Sequence, residues 1–128
     1  MRKRKILVID DESDLAELIS FRLTVYGFEV ATASDGASGL QRIKIDPPDL
    51  VVLDLMMPEM DGFEVIERLR QDPLTARIPV IILTAAVGST INERICQMHP
   101  AGCMTKPFQS KDLLERIKRV LFQEAKAA

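Results

Sequence analysis

Hydrophobic residues recur along the chain in two alternating patterns. Short continuous apolar runs, such as ILVI and LVVL, alternate with segments in which apolar residues return every three to four positions. The first pattern is typical of strands buried on both faces, and the second of amphipathic helices. The pattern predicts strands Lys5–Asp10, Phe28–Ala33, Leu50–Asp54, Pro79–Thr84 and Ala101–Thr105, and helices Ser13–Tyr26, Asp35–Ile45, Gly62–Gln71, Ser89–Met98 and Ser110–Lys126.

Five strand–helix repeats predict a doubly wound α/β fold. Strands that alternate with helices form a parallel sheet through right-handed crossovers, with helices on both faces. Stop signals support the helix ends, with Gly27 as a cap and Pro47-Pro48 as a break. The 128 residues suit one domain, 1–128, with a core of about 5–122.

Composition narrows the class of protein further. The net charge of −2 gives no basic face, so direct nucleic-acid binding is not expected. No apolar segment approaches the length of a membrane span. The two cysteines fit a reduced compartment better than a disulfide scaffold. We expect a soluble, cytoplasmic protein with no membrane partner.

Three acids and one base stand at predicted strand ends. Asp10 and Asp11 close the first strand, Asp54 closes the third, and Lys106 follows the fifth. Ligands of open parallel sheets bind in the crevice at the carboxyl ends of the strands. Crowded carboxylates need an opposing charge, and magnesium prefers carboxylate oxygens and water. With the hydroxyl of Thr84 at the end of the fourth strand, these residues predict a Mg²⁺-dependent phosphoryl pocket.

Four motifs then point to a family. They are VIDDE (Val8–Glu12), DLMMPEMDG (Asp54–Gly62), ILTA (Ile82–Ala85) and TKPF (Thr105–Phe108). In this order and spacing, the chain resembles the receiver domain of two-component response regulators, in a single-domain form like chemotaxis regulators, from Lys5 to about Phe122. The resemblance implies a flavodoxin-like (βα)5 fold with five parallel strands in the order 2-1-3-4-5.

The resemblance also implies roles for the residues of the pocket. Asp54 would be the phosphoacceptor, charged by a histidine kinase or a histidine phosphotransfer protein. Thr84 would be the switch hydroxyl and Lys106 the phosphoryl contact, followed by a cis peptide to Pro107.

The implied metal is Mg²⁺. Asp11, Asp54 and the backbone carbonyl of Met56 would bind it directly, and Asp10 mostly through a water molecule. Catalysis would be limited to Mg²⁺-dependent self-phosphorylation and self-dephosphorylation. Because Met56 and Ala86 carry no acid or amide to orient a hydrolytic water, we expect dephosphorylation to be slow.

Partner surfaces follow from the same resemblance. A downstream protein would contact the fourth helix, fifth strand and fifth helix, and the kinase would dock near the first helix, around Phe21 and Arg22. The protein would be a monomer or a dimer promoted by phosphorylation.

One position departs from the family pattern. Receivers commonly carry an aromatic residue three positions before the lysine, where this chain has Cys103. A thiol cannot fill the space of a ring. A degenerate receiver, acting as a phosphorylation-independent binding module, therefore remains the alternative. The first loop, DDESD, would repel the phosphate of a flavin, and Leu55-Met56 lacks the second aspartate of a haloacid-dehalogenase phosphatase.

Several residues have simpler interpretations. Asp10 or Asp11 could cap the first helix, and Asp61 is expected to cap the third without a role in the site. Glu12 is expected to be solvated, with a bond to Lys106 or to the metal's water shell as the lesser alternative.

Overall fold

The structure, a computed structural model, describes residues 2–85 and 88–127, with side chains up to residue 122. Five strands alternate with five helices along the chain. In order, they are β1 (Lys5–Ile9), α1 (Ser13–Val25), β2 (Glu29–Ala33), α2 (Gly36–Ile45), β3 (Leu50–Asp54), α3 (Gly62–Gln71), β4 (Val80–Thr84), α4 (Ser89–Met98), β5 (Gly102–Thr105) and α5 (Ser110–Ala127).

The strands form one parallel sheet in the order β2-β1-β3-β4-β5. The predicted fold class and strand order are therefore confirmed. Each predicted element is present, and the bounds differ by one residue at most at either end. Such differences arise where the chain leaves the sheet or ends a helical turn.

The central strands are apolar because both faces of the sheet are covered. One core cluster packs α1 and α5 against the sheet, with Ile19, Leu23 and Ile117 among its buried members. The other packs α2, α3 and α4, with Ile43, Ile66 and Ile95 buried. The sheet thus has two covered faces and leaves its carboxyl edge for polar side chains.

Local signals explain where the helices begin and end. Gly27 has φ +99°, and its N–H donates to the Thr24 carbonyl while the Phe28 N–H donates to Leu23. This Schellman motif needs a left-handed residue, so the predicted cap is confirmed. Asp61 accepts a hydrogen bond from the Glu64 N–H, as predicted for a helix start.

One helical position differs from the amphipathic pattern. Leu18 shares the helical spacing of Leu15, Ile19 and Leu23, which predicts an inner position on α1, but it is 48% exposed. It lies next to Phe21 and Val25 on an exposed apolar face of the helix. Among the helices that the structure describes, none has the length and apolarity to cross a membrane.

Candidate functional site

The register of β1 and β3 brings two aspartates together. Ile9 pairs with Leu53, so Asp10 and Asp54 follow at the same edge of adjacent strands. Both side chains are buried. In each, Oδ1 accepts a hydrogen bond from the backbone N–H two residues later, at 2.9 Å from Glu12 and 3.3 Å from Met56. These turns fix the carboxylates and leave Oδ2 of each aspartate for other partners.

The opposite side of the site comes from β5. The Lys106 N–H donates to the Thr84 carbonyl at 2.8 Å, which continues the pairing of β4 and β5 past the last paired residues. The peptide between Lys106 and Pro107 is cis, as the resemblance implied. From this position Lys106 Nζ lies 3.1 Å from Asp10 Oδ2 and 3.6 Å from Asp54 Oδ2. The structure therefore brings together the residues that follow β1 and β5 and the last residue of β3, as the strand ends predicted.

Glu12 joins this cluster, although the expected interpretation was a solvated side chain and the bond to Lys106 was the lesser alternative. Its Oε1 accepts a hydrogen bond from Lys106 Nζ at 3.2 Å although the side chain is exposed. Oxygens of Asp10, Glu12 and Asp54 all lie within 4.8 Å of one another. The sequence signal was present, because Glu12 directly follows Asp11 at the end of β1.

Asp11, predicted as a metal ligand, lies outside this group of three carboxylates, and its role stays a prediction. Its side chain is exposed, and its interaction with Asp54 is a minor cause of the raised pKa of Asp54. The group of three carboxylates is thus formed by Asp10, Glu12 and Asp54, and Asp11 acts on Asp54 from outside it.

Electrostatics in the site oppose the ionisation of Asp54. Burial and the charge of Asp10 raise the pKa of Asp54 to about 7, although Lys106 works in the opposite direction. Burial alone would lower the pKa of Lys106, but its hydrogen bond to Asp10 and the charge of Asp54 raise it overall. Lys106 is therefore a firmly charged ammonium beside an acid that resists ionisation.

The donor set fits a hard divalent cation. Oxygens of three carboxylates converge within the reach of one ion, and carboxylate oxygens are the ligands that Mg²⁺ prefers. Such a cation would stabilise the ionised form of Asp54 in particular, because burial and the charge of Asp10 disfavour that form. The acidic cluster could therefore hold Mg²⁺.

Thr84 lies on β4 and Cys103 on β5, the last two strands in the order of the sheet. Thr84 is 2% exposed and ends β4, pairing in register with Thr105. Cys103 pairs with Ile82 and is partly buried against the α4 side of the core. Both cysteines are free thiols, and burial raises the pKa of Cys103.

The fold and this site agree with a match to a known family. The response regulator receiver domain matches residues 6–118, and the chain belongs to that family. The alkaline phosphatase synthesis regulator PhoP of Bacillus subtilis is 38% identical over 98% of this chain and 51% of its own length. The DNA-binding dual master transcriptional regulator RpaA of Synechocystis is 41% identical over 91% of this chain and 48% of its own.

A solved structure supports the same assignment. The CheY-like receiver domain protein of Methanospirillum hungatei superposes with a TM-score of 0.91, at 25% identity, over 99% of this chain and all of that one. The chain spans about half the length of the curated relatives above. The family is that of two-component signalling, and the resemblance found in the sequence is confirmed.

Proposed function

We propose that this chain is a phosphorylation-dependent signalling switch whose acceptor is Asp54. The observation that supports it is the position of this buried carboxylate, within 3.6 Å of Lys106 Nζ and beside Asp10 and Glu12. Receiver domains are phosphorylated by histidine kinases. Here the donor would be the phosphohistidine of a kinase or of a phosphotransfer protein.

The chemical step is transfer to a carboxylate. An Asp54 oxygen attacks phosphorus, and the bond from phosphorus to the histidine nitrogen breaks with its electron pair going to nitrogen. The imidazole takes a proton from solvent, and Asp54 becomes an aspartyl phosphate. Lys106 donates to a phosphoryl oxygen as a point charge, and the Thr84 hydroxyl approaches another.

Mg²⁺ is the proposed cofactor. Asp54, Asp11, the Met56 carbonyl and Asp10 through water remain the proposed ligands, to which the structure adds Glu12 as a neighbour. When bound, the cation would offset the acids and screen the charge of the phosphoryl group. The protein's own residues orient the reacting groups, because the Met56 N–H holds the Asp54 carboxylate and Asp10 and Glu12 hold the Lys106 ammonium.

We propose no catalysis beyond self-phosphorylation and slow self-dephosphorylation. In the second reaction water attacks phosphorus, the bond to the Asp54 oxygen breaks, and inorganic phosphate leaves. Met56, exposed above the site, has no group to orient that water. Ala86, the other position expected to control access, lies outside the described residues.

Acetyl phosphate tests the proposal. With Mg²⁺ present, intact-mass spectrometry should show the addition of one phosphoryl group, and chelation of the metal should abolish it. Asp54→Asn should show no addition. Asp61→Asn is the matched control, because asparagine can still cap α3. Phosphorylation of Asp54→Asn at the wild-type rate would contradict the assignment.

Partner surfaces are proposed on two sides of the molecule. The exposed face of α1 offers Leu18, Phe21 and Val25 beside Arg22, which suits docking of a kinase or phosphotransfer helix. Output through α4, β5 and α5 follows from the family resemblance. PhoP and RpaA are named as transcriptional regulators, but this chain is proposed to act through protein contacts, without binding nucleic acid itself. A monomer or phosphorylation-promoted dimer and a cytoplasmic location stay predictions.

Cys103 is the observation that favours the alternative, a degenerate receiver. A small, partly buried thiol stands where an aromatic side chain is common in receivers. If phosphorylation is still transmitted, we expect it to move Ala85–Met98 more than Cys103. Amide NMR shifts with and without Mg²⁺ and beryllofluoride, a phosphoryl mimic, would measure this. Binding without any shift beyond the pocket would favour the degenerate receiver.

A further inference from the structure

The ammonium of Lys106 has three carboxylate neighbours at unequal distances. Nζ lies 3.1 Å from Asp10, 3.2 Å from Glu12 and 3.6 Å from Asp54. The first two contacts are hydrogen bonds, whereas the third is an ion pair beyond hydrogen-bond length. Before phosphorylation, Lys106 is therefore bonded to Asp10 and Glu12 rather than to the proposed acceptor.

The two bonded carboxylates differ in what their release would cost. The side chain of Asp10 is 0% exposed, and that of Glu12 is 62% exposed. Releasing Asp10 would leave a buried charge without its partner, which is strongly destabilising. Releasing Glu12 returns a carboxylate to water, where its charge is solvated. Glu12 is therefore the partner that Lys106 can exchange for another anion.

We propose that Glu12 is a positioning residue that holds Lys106 before phosphorylation and yields it to the phosphoryl group. The ion pair between Glu12 and Lys106 competes with the new contact, so Glu12 sets how tightly the pocket retains a phosphoryl group. This inference rests on the proposed function, since it takes Asp54 as the acceptor and Lys106 as the phosphoryl contact.

Glu12→Gln tests the competition, because glutamine keeps the length of the side chain and removes its charge. At saturating Mg²⁺, the Kd for beryllofluoride, measured by amide NMR titration, should fall about 2- to 5-fold, the range of an exposed ion pair. The gain should shrink as salt is added. Glu17→Gln is the matched control and should leave this Kd unchanged. Glu17 is an exposed acid of α1 without an ion pair among the described residues.

A double mutant separates this competition from simple repulsion. In a Lys106→Met background, Glu12→Gln should no longer change the Kd, because the contested ammonium is absent. A gain that persists there would mean that Glu12 acts by repelling the anion, and would overturn the proposal. If the Lys106→Met variants bind beryllofluoride too weakly to measure, the Cε–H NMR signal of Lys106 in the proteins that keep this residue tests the proposal instead. Glu12→Gln must shift it in the ligand-free protein and leave it unchanged in the complex.

Other outcomes are equally distinct. An unchanged or larger Kd for Glu12→Gln would refute the competition. A weaker Mg²⁺ affinity with no gain for beryllofluoride would assign Glu12 to the metal instead. If the wild-type protein binds no beryllofluoride, the proposed function itself fails, before Glu12 is considered.

Discussion

Two parts of the sheet, the carboxyl ends of β1 and β3 and the outer strand β5, differ sharply in how their side chains are bonded. At the ends of β1 and β3, Asp10 and Asp54 each bond a backbone N–H and face Lys106. At the outer side, Cys103 on β5 borders a cleft of about 490 Å³, lined also by Met104, Phe108 and Arg116. The first part is buried and charged, and the second borders an open cleft.

The difference separates receiving a signal from transmitting it. The pocket depends on a few bonds between buried charges, so single changes there should have large effects. The region around Cys103 lacks a bulky side chain, so the same kind of change should matter little. The following predictions test this contrast, from the largest expected effect to the smallest.

Lys106→Met should give the largest effect. Without the ammonium, Asp10 keeps a buried charge with no cation near it, and the free energy of unfolding should fall by about 3 kcal/mol in Mg²⁺-free buffer, as for other broken buried pairs. Urea unfolding measures it. Lys111→Met, on the exposed side of α5, is the control and should change stability by less than about 0.5 kcal/mol. Equal losses of unfolding free energy in the two variants would show that the pocket lysine is no more important for stability than an exposed one.

Asp54→Asn should raise the free energy of unfolding, whereas Lys106→Met lowers it. Since burial and Asp10 raise the pKa of Asp54 to about 7, its ionised form opposes folding. Near pH 8 without Mg²⁺, asparagine should stabilise the protein by about 2 kcal/mol, less than the full pKa shift implies, because Lys106 loses a neighbour. Urea unfolding against pH should show the gain disappearing as pH falls from about 7 to about 4.

The direction of this pH dependence follows from proton binding by Asp54. Between these pH values the folded protein holds the proton of Asp54 more tightly than the unfolded chain, so the wild-type protein loses stability as pH rises. Asp49 is the matched control with a lowered pKa, held by the Lys5 N–H and by Arg2 although burial opposes this. Asp49→Asn should cost stability at neutral pH. A stabilising Asp49→Asn would contradict the lowered pKa of Asp49.

Cys103→Phe should have the smallest effect. The adjacent cleft offers room for a ring, so the free energy of unfolding should change by less than about 1 kcal/mol. Ile82→Phe, at the fully buried position paired with Cys103, should cost about 1–3 kcal/mol through overpacking. Thermal or urea unfolding compares them. If both variants lose the same stability, the outer strand is packed as tightly as the centre.

The fold was readily predicted because its signals are local and repeated. Apolar runs such as LVVLD marked β3, and Gly27 marked the end of α1 through its need for positive φ. Leu18 was misplaced because spacing alone does not show how far a neighbouring element covers the helix. Only the packing of α1 against β1, β2 and α5 determines that face.

The site was predicted less completely. Asp10, Asp54 and Lys106 were found from their strand ends, because parallel strands align those ends. The contact of Glu12 with Lys106 was considered only as a lesser alternative, because it depends on the turn made by Asp10 and on side-chain reach. Asp11 was expected to bind the metal together with Asp54, which stays a prediction, and the structure adds Glu12 to the carboxylates of Asp10 and Asp54.

The bond between Lys106 and Asp10 joins residues 96 positions apart in the sequence. A growing chain on the ribosome cannot form it until β5 has been synthesised and added to the edge of the sheet. The pocket therefore needs both ends of the sheet's chain path, from Asp10 to Lys106. A truncated or half-folded chain would carry Asp54 but not its cation, and could not respond as the finished protein does.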